Sequence, residues 1–237
     1  MEPQSSELVR QASFSPGLRV LVDARKICDG GIGVYTNNLI CGLLDRDTRV
    51  SVLGDPAKIS EMPWSSDVLC LPEYARPYSL DELFGLARRV DFTQYDIFHT
   101  PHYVLPFGIP IPSIVTIHDL IHIHFPEKVY YPWIASALLR SALKRASRVL
   151  TVSQATFQDL HRFVSGRHDL MQKISVVPNA LDPYFLDHEP SGDFVRSRFG
   201  ITGHYFLAVS SMLKPHKGVR DLFEAFAAFQ RRRVAED

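Results

Sequence analysis

Short apolar runs recur along the chain, and stretches with helical spacing separate them. Arg19-Val20-Leu21-Val22 reads as a short buried strand, and Val50-Ser51-Val52-Leu53 and Val68-Leu69-Cys70-Leu71 as further strands. So do Ile97-Phe98, Ile114-Val115-Thr116-Ile117, Val149-Leu150-Thr151-Val152 and Ile174-Ser175-Val176-Val177. Leu39, Ile40, Leu43 and Leu44 mark one helix face, and Ala135, Leu138, Leu139, Ala142 and Ala146 another. Ser79 with Glu82 is a capping box that opens a helix running to Val90. A further helix begins near Gln154. Strand and helix alternate without internal repeat. The pattern predicts an α/β fold, a mostly parallel sheet with helices on both faces and right-handed crossovers.

The same pattern divides the chain. Residues 1–17 are polar and Ser-rich and read as a flexible tail. Residues 18–180 form the first domain, and 181–203, rich in Pro, Gly and Asp, the linker. Residues 204–237 open a second domain with the strand Tyr205-Phe206-Leu207-Ala208-Val209. Lys214-Pro215-His216-Lys217-Gly218 follows, then a helix with Val219, Leu222, Phe223 and Phe226 on one face. One strand and one helix are an incomplete domain, so this segment is expected to need docking or self-association.

Composition narrows the classes. Apolar residues make up 46% of the chain, which excludes a disordered protein. Net charge is zero, so there is no general electrostatic case for nucleic acid. Cys28, Cys41 and Cys70 lack metal spacing and suit a reducing compartment, which points to the cytoplasm. No run approaches the ~18–20 apolar residues of a spanning helix.

Candidate chemistry gathers where strands end, the place where open parallel sheets bind ligands. Gly30-Gly31-Ile32-Gly33 follows the first strand, His99 and His102 the fourth, His118-Asp119 the fifth, Ser153 the sixth and Asn179 the seventh. Polar loop residues and a simple helix cap at Ser153 would explain any one of these; the set argues for a site. The Gly-rich turn matches neither a dinucleotide fingerprint nor a Walker loop. A sugar-phosphate or nucleotide-diphosphate site fits it better, because glycine admits a close ligand and a helix N-terminus attracts anions. His99, His102, His118, His122 and His124 invite a metal, but their spacing does not converge on one helix face. Arg140, Lys144 and Arg148 lie four apart and predict a basic stripe, either solvated or in contact with anionic lipid. Lys214 and Lys217 suit a second phosphate contact.

Together these strings resemble the retaining family 4 glycosyltransferases of the GT-B fold. The residues that carry the likeness are Asp29-Gly30-Gly31-Ile32-Gly33-Val34-Tyr35, His99-Thr100-Pro101-His102-Tyr103 and Val115-Thr116-Ile117-His118-Asp119-Leu120-Ile121. Phe125-Pro126, Val149-Leu150-Thr151-Val152-Ser153, Val176-Val177-Pro178-Asn179 and Lys214-Pro215-His216-Lys217 continue it in order. The resemblance implies two Rossmann-like domains with a nucleotide-sugar donor between them, and transfer of a hexose, such as mannose, to a glycan or lipid-linked acceptor. By the same analogy Gly30, Gly31, Gly33 and Lys217 face the donor diphosphate and His118 acts beside the transferred sugar. His102, Tyr103, Asp119 and Ser153 border the acceptor or sugar. No divalent metal or other cofactor is implied. The location implied is cytoplasmic, peripheral at the inner face of the membrane.

The chain stops before the glutamate pair that holds donor sugar and ribose in that family. It is therefore expected to bind donor weakly and to show no transfer alone. The competing reading is a non-catalytic module of the same fold that binds sugar phosphate or a partner protein. A metal hydrolase built on the histidines is more distant.

Overall fold

The computed structural model describes residues 17–46, 48–181, 185, 192–210 and 217–236. Seven strands form one sheet: β1 (Arg19–Asp23), β2 (Arg49–Gly54), β3 (Leu69–Pro72), β4 (Ile97–Thr100), β5 (Ser113–Ile117), β6 (Arg148–Thr151) and β7 (Ile174–Val176). Every pairing is parallel, and the order is β3-β2-β1-β4-β5-β6-β7. Parallel pairing needs a crossover between strands. The helices that supply it are α1 (Gly30–Leu44), α2 (Pro56–Ile59), α3 (Leu80–Arg89), α4 (Ile121–His124), α5 (Tyr131–Arg145), α6 (Gln154–Phe163) and α7 (His168–Met171).

Both faces of the sheet are covered, as an all-parallel sheet requires. Successive residues of a strand point to opposite faces. Leu21 therefore joins the core that holds Phe98, Ile117, Leu139 and Leu143, while Val20 and Val22 join Ile40, Val52, Ile59 and Trp64 on the other side. Leu139, Ala142 and Ala146 of the helix stripe join the first of these cores as their spacing predicts. The chain order reverses between β1 and β4. At such a switch point the two following loops diverge and leave a crevice beyond the strand ends. The segment 24–30 and the segment 101–104 flank it.

The chain divides into two compact units, Met1–Asp182 and Pro183–Asp237. The second contains α8 (Gly192–Phe199) and α9 (Val219–Glu236). Helix α8 falls where the sequence predicts linker. The Tyr205–Val209 strand is not formed: residues 204–210 carry no regular structure. A lone strand has no ladder to satisfy its backbone, and here Phe206 instead packs its ring on Phe226 and Phe229 of α9, at 6.0 and 5.9 Å. Leu222, Phe223, Phe226 and Phe229 remain substantially exposed. Met212, Lys214, Pro215 and His216 lie outside the described residues. The basic stripe is also corrected. Helix α5 ends at Arg145, so Arg148 belongs to β6 and not to the face of Arg140 and Lys144.

Candidate functional site

The predicted Gly-rich turn is the first turn of α1. Gly30 adopts φ +47, a left-handed conformation that favours glycine and lets the chain bend straight from the β1 loop into the helix. Asp29 precedes the helix but makes no side-chain cap, and its carboxylate pairs with Lys26 at 3.3 Å. Gly30 N–H donates to the Cys28 carbonyl, and Ile32 and Gly33 N–H to the Asp29 carbonyl, which leaves the Gly31 N–H as the open donor at the positive end of a four-turn helix. Gly31 and Gly33 differ. A Cβ on Gly31 would meet nothing within 4 Å, so the space beside it is open. A Cβ on Gly33 would lie 2.1 Å from the Ile27 carbonyl oxygen. Gly33 is therefore required by the approach of α1 to its own loop, which gives it a packing role independent of any ligand.

His118 stands just beyond β5, half-buried. Its Nε2 lies 3.0 Å from the Pro101 carbonyl oxygen. A carbonyl only accepts, so Nε2 carries the proton and Nδ1 keeps its lone pair. Nδ1 has no protein partner among the described residues. Burial pushes the His118 pKa below the ordinary histidine value, against the opposing pull of the Pro101 carbonyl and the Asp119 charge. The ring is thus a neutral hydrogen-bond acceptor, not a cation.

Several groups hold that ring. Tyr35 of α1 meets it edge-on, with centroids 4.9 Å apart and planes at 88°. The Tyr35 hydroxyl bonds Thr116 Oγ1 at 2.9 Å, and His99 Nε2 bonds the same oxygen at 2.8 Å. Thr156 Oγ1 donates to the His118 carbonyl at 2.8 Å, while Ser153 caps α6 by accepting from Thr156 N–H. His99, fully buried, is pushed down to about 4 by burial and by its His118 neighbour. It is a neutral framework residue. The Tyr35–Thr116–His99 column ties the helix that carries the open Gly31 N–H to the strand that leads into His118.

Beside these lies a buried ion network. Arg25 Nη2 reaches Asp23 Oδ2 and Glu82 Oε1, each at 2.6 Å. His102 Nε2 is 3.5 Å from Asp23 Oδ2 and 3.8 Å from Glu82 Oε1. Burial alone would raise the Asp23 pKa, but the Arg25 charge and hydrogen bonds, with the nearby His102 ring, hold it far below the usual carboxylate range. Burial would lower the Arg25 pKa, and the two carboxylates raise it instead. Asp23, Glu82 and His102 are near enough to one another to hold a metal ion, but the donor set does not fit one. Val104 N–H donates to His102 Nδ1 at 3.3 Å, so the neutral ring bears its proton on Nε2, the atom that faces the carboxylates. Arg25 already occupies the cation position between them. The group is an ion-pair network.

Glu82 shows how tertiary pairing redirected a local motif. Ser79 does cap α3 by accepting from Glu82 N–H. Glu82 does not return a bond to Ser79 N–H. Its Oε2 accepts instead from Tyr78 N–H at 2.5 Å, and Oε1 from Arg25. Tyr78 has φ +67, the sole positive value at a non-glycine among the described residues. The Tyr78 ring lies 5.8 Å from Tyr103 and 5.0 Å beneath the Lys26 ammonium.

Gly30 and Gly31 open α1 after β1, His102 and Tyr103 follow β4 and His118 follows β5, so all stand beyond the carboxyl ends of three adjacent strands. Asp119 is exposed next to them and accepts from Ile121 N–H. Lys217 is exposed in the second unit. Ser153 supports His118 at one remove. Asn179 is exposed, and the adjacent Ala180 carbonyl accepts from Asn38 of α1 at 3.3 Å. Sequence reasoning missed Asp23, Arg25, Glu82, Tyr35, Thr116 and Tyr78. Asp23 closing an otherwise apolar strand, two residues before Arg25, was the legible signal for the first pair. Glu82 was legible only as the capping-box partner of Ser79, and Tyr35 and Thr116 only as members of longer strings; Tyr78 carries no local signal.

The parallel order, the switch-point crevice and the open helix N-terminus define a Rossmann-like unit of the GT-B type. The profile of Glycosyltransferase Family 4 matches residues 29–185, more than half the chain, and the chain belongs to that family. Among solved structures, HepE of Anabaena, in complex with UDP, is similar at 21% identity and TM-score 0.50, over 77% of this chain and 50% of that one. A glycosyltransferase from Rickettsia africae ESF-5 is similar at 13% identity and TM-score 0.50, over 80% of this chain and 51% of that one. The chain thus spans about half the length of these structures. No curated protein matches it significantly.

Proposed function

We propose that this chain forms the acceptor-side half of a retaining glycosyltransferase. It moves a hexose, mannose among the candidates, from a nucleotide-sugar donor to a glycan or lipid-linked acceptor. The observation that carries this is the pairing of two complementary groups across the switch point. The uncapped N-terminus of α1, open at Gly31, offers the Gly31 N–H and the positive end of the helix to the donor diphosphate as its negative charge develops. His118, neutral and with Nδ1 free, accepts a hydrogen bond from a hydroxyl of the transferred sugar. Family membership supports the reaction class, and the UDP bound to HepE supports a nucleotide donor.

The remaining roles follow from placement. His102, Tyr103 and Asp119 border the acceptor, Ser153 steadies His118, and Lys217 of the second unit neutralises the leaving diphosphate. The second unit is the start of the donor-binding domain and needs a complementing partner or self-association to cover its apolar face. Peripheral contact with anionic lipid at the cytoplasmic face rests on Arg140 and Lys144 alone, and the Arg140 guanidinium already lies 4.7 Å over the Phe163 ring. Among the described residues no helix is long and apolar enough to cross a membrane.

The test is titration of the labelled protein with UDP, GDP and ADP, followed by amide chemical shifts. Shifts that begin at Gly30 and Gly31 and extend to His118, with a Kd of about 1 mM or weaker, support the reading. Absence of any change at Gly30 and Gly31 at saturating nucleotide would overturn it. Transfer by the chain alone is expected to be undetectable, because it spans about half the length of the solved glycosyltransferase structures it resembles.

A further inference from the structure

A cavity of about 330 Å³ opens beside the candidate site and shares Tyr103 with it. That volume is at the lower end of small-molecule pockets, enough for one sugar unit and the start of its substituent. Its chemistry divides into two parts. One part is built of rings: Tyr78, Tyr103, His122 and Tyr131 stand with successive centroids 5.8 to 6.2 Å apart. The other is aliphatic, with Ile134 and Leu138 of α5. Glu127 is the single lining residue with a formal charge at neutral pH, and it is negative. Outside, the apolar character continues onto the surface through Ile134, 51% exposed, Trp133, 79%, and Val129, 90%. A run of large apolar side chains this exposed is a recognition surface more often than an accident.

The ring wall is held at a cost. Tyr78 sits in the left-handed region at φ +67, a strained conformation for a bulky residue. Glu82 fixes it by accepting from Tyr78 N–H, and Arg25 fixes Glu82 in turn. Burial pushes the phenols of Tyr78 and Tyr103 up, so both stay protonated and donate hydrogen bonds across the physiological range. The buried ion network thereby sets the shape of the pocket.

We infer that this pocket takes the accepting sugar of an amphipathic glycoside: a neutral pyranose seated among the tyrosines, with an apolar aglycone leaving over Ile134 and Trp133. The inference rests on the glycosyl-transfer reading above and narrows its acceptor to the lipid-like class. Pyranose rings present C–H faces to aromatic rings and hydroxyls to phenols and a carboxylate. A phosphate at this position would meet the Glu127 carboxylate, while the nearest ammonium groups, Lys26 and Lys128, already lie over the Tyr78 and Tyr131 rings at 5.0 and 5.8 Å. An alkyl chain finds the aliphatic part and the exposed apolar rim.

The experiment is ligand-observed saturation-transfer NMR on the whole chain with octyl glucoside and octyl mannoside below their micelle concentrations. Methyl glucoside and inorganic phosphate are the comparison probes. Expected are saturation of ring protons and first methylenes of an octyl glycoside, and binding at least about tenfold weaker for methyl glucoside. Tyr131→Ala should weaken octyl glycoside binding about tenfold, while Tyr131→Phe largely retains it. Tyr78→Asn removes a ring but tolerates the left-handed backbone, so it should weaken binding without lowering the melting temperature. Equal binding of methyl and octyl glycosides, no binding of any glycoside, or displacement by phosphate would each overturn the proposal. None of these readouts involves a donor, so failure here is distinct from absence of nucleotide shifts at Gly30 and Gly31, which alone would sink the transfer reading.

Discussion

Gly31 and Gly33 are two residues apart on one helix, and the structure gives them opposite requirements. In Gly33→Ala the new Cβ would sit 2.1 Å from Ile27 O and 2.8 Å from Ile27 C. Relief needs a shift of about 1 Å between α1 and the β1 loop, since ordinary carbon–oxygen contact begins above 3 Å. That loop is not free to move. Ala24 N–H donates to Leu53 O at 2.8 Å and Ile27 N–H to Ala24 O at 3.0 Å. Overpacking of this kind costs about 1–3 kcal/mol or more, and the helical preference of alanine returns at most about 1 kcal/mol. A net loss near 2 kcal/mol corresponds to a fall of about 4–8 °C in Tm for a unit of this size. Gly31→Ala meets open space, so Tm should hold or rise by a few degrees. If diphosphate lies against Gly31, the same change should weaken UDP or GDP binding by about tenfold or more, the worth of one hydrogen bond to a charged group. Gly31→Val should cut transfer by orders of magnitude in an enzyme of full length, with the fold intact. Differential scanning fluorimetry and nucleotide titration on both variants separate the two effects. Equal stability of Gly33→Ala and wild type would refute the packing argument, and a Gly31→Ala variant that binds nucleotide normally would refute the cradle.

Three further outcomes follow from the same geometry. His99 has its pKa depressed to about 4 against 6.5 unfolded, so its contribution to stability is fully present above about pH 6.5 and is lost as pH falls through the folded value; that window is worth about 3 kcal/mol, and His99→Gln should flatten the denaturation midpoint between pH 6.5 and 4. Arg25→Met strands two buried carboxylates and should cost about 3–5 kcal/mol in urea unfolding, more than Arg25→Met/Asp23→Asn/Glu82→Gln together; a single variant as stable as the triple would show that the network is not energetically coupled. Limited proteolysis should cut after Pro190 before it cuts the first unit, because Leu222, Phe223, Phe226 and Phe229 keep an uncovered face; equal resistance in dilute monomer would contradict this.

The sequence by itself determined the layer architecture. Seven short apolar runs alternate with helical stretches, and strands joined in turn by helices settle into a parallel sheet. It also determined which polar residues stand at strand ends, because strand direction is common to all of them. His118, His102 and the Gly30-Gly31 step were legible for that reason. The order of strands was not, since apolar runs of similar length are interchangeable until crossovers place them. Contacts between distant positions were decided only by tertiary structure. Ser79 and Glu82 match a local capping signal, yet Arg25, 57 residues away, captures the Glu82 carboxylate. Arg148 keeps helical spacing with Lys144, yet β6 claims it because Arg148 must register with Ile114. Tyr205–Val209 has strand composition, yet no neighbouring strand offers it a ladder. Gly31 and Gly33 look alike in sequence and differ only in what lies across from them. Local patterns encode which backbone a segment prefers; charge pairing, steric approach and ladder partners are long-range, and the folded chain alone supplies them.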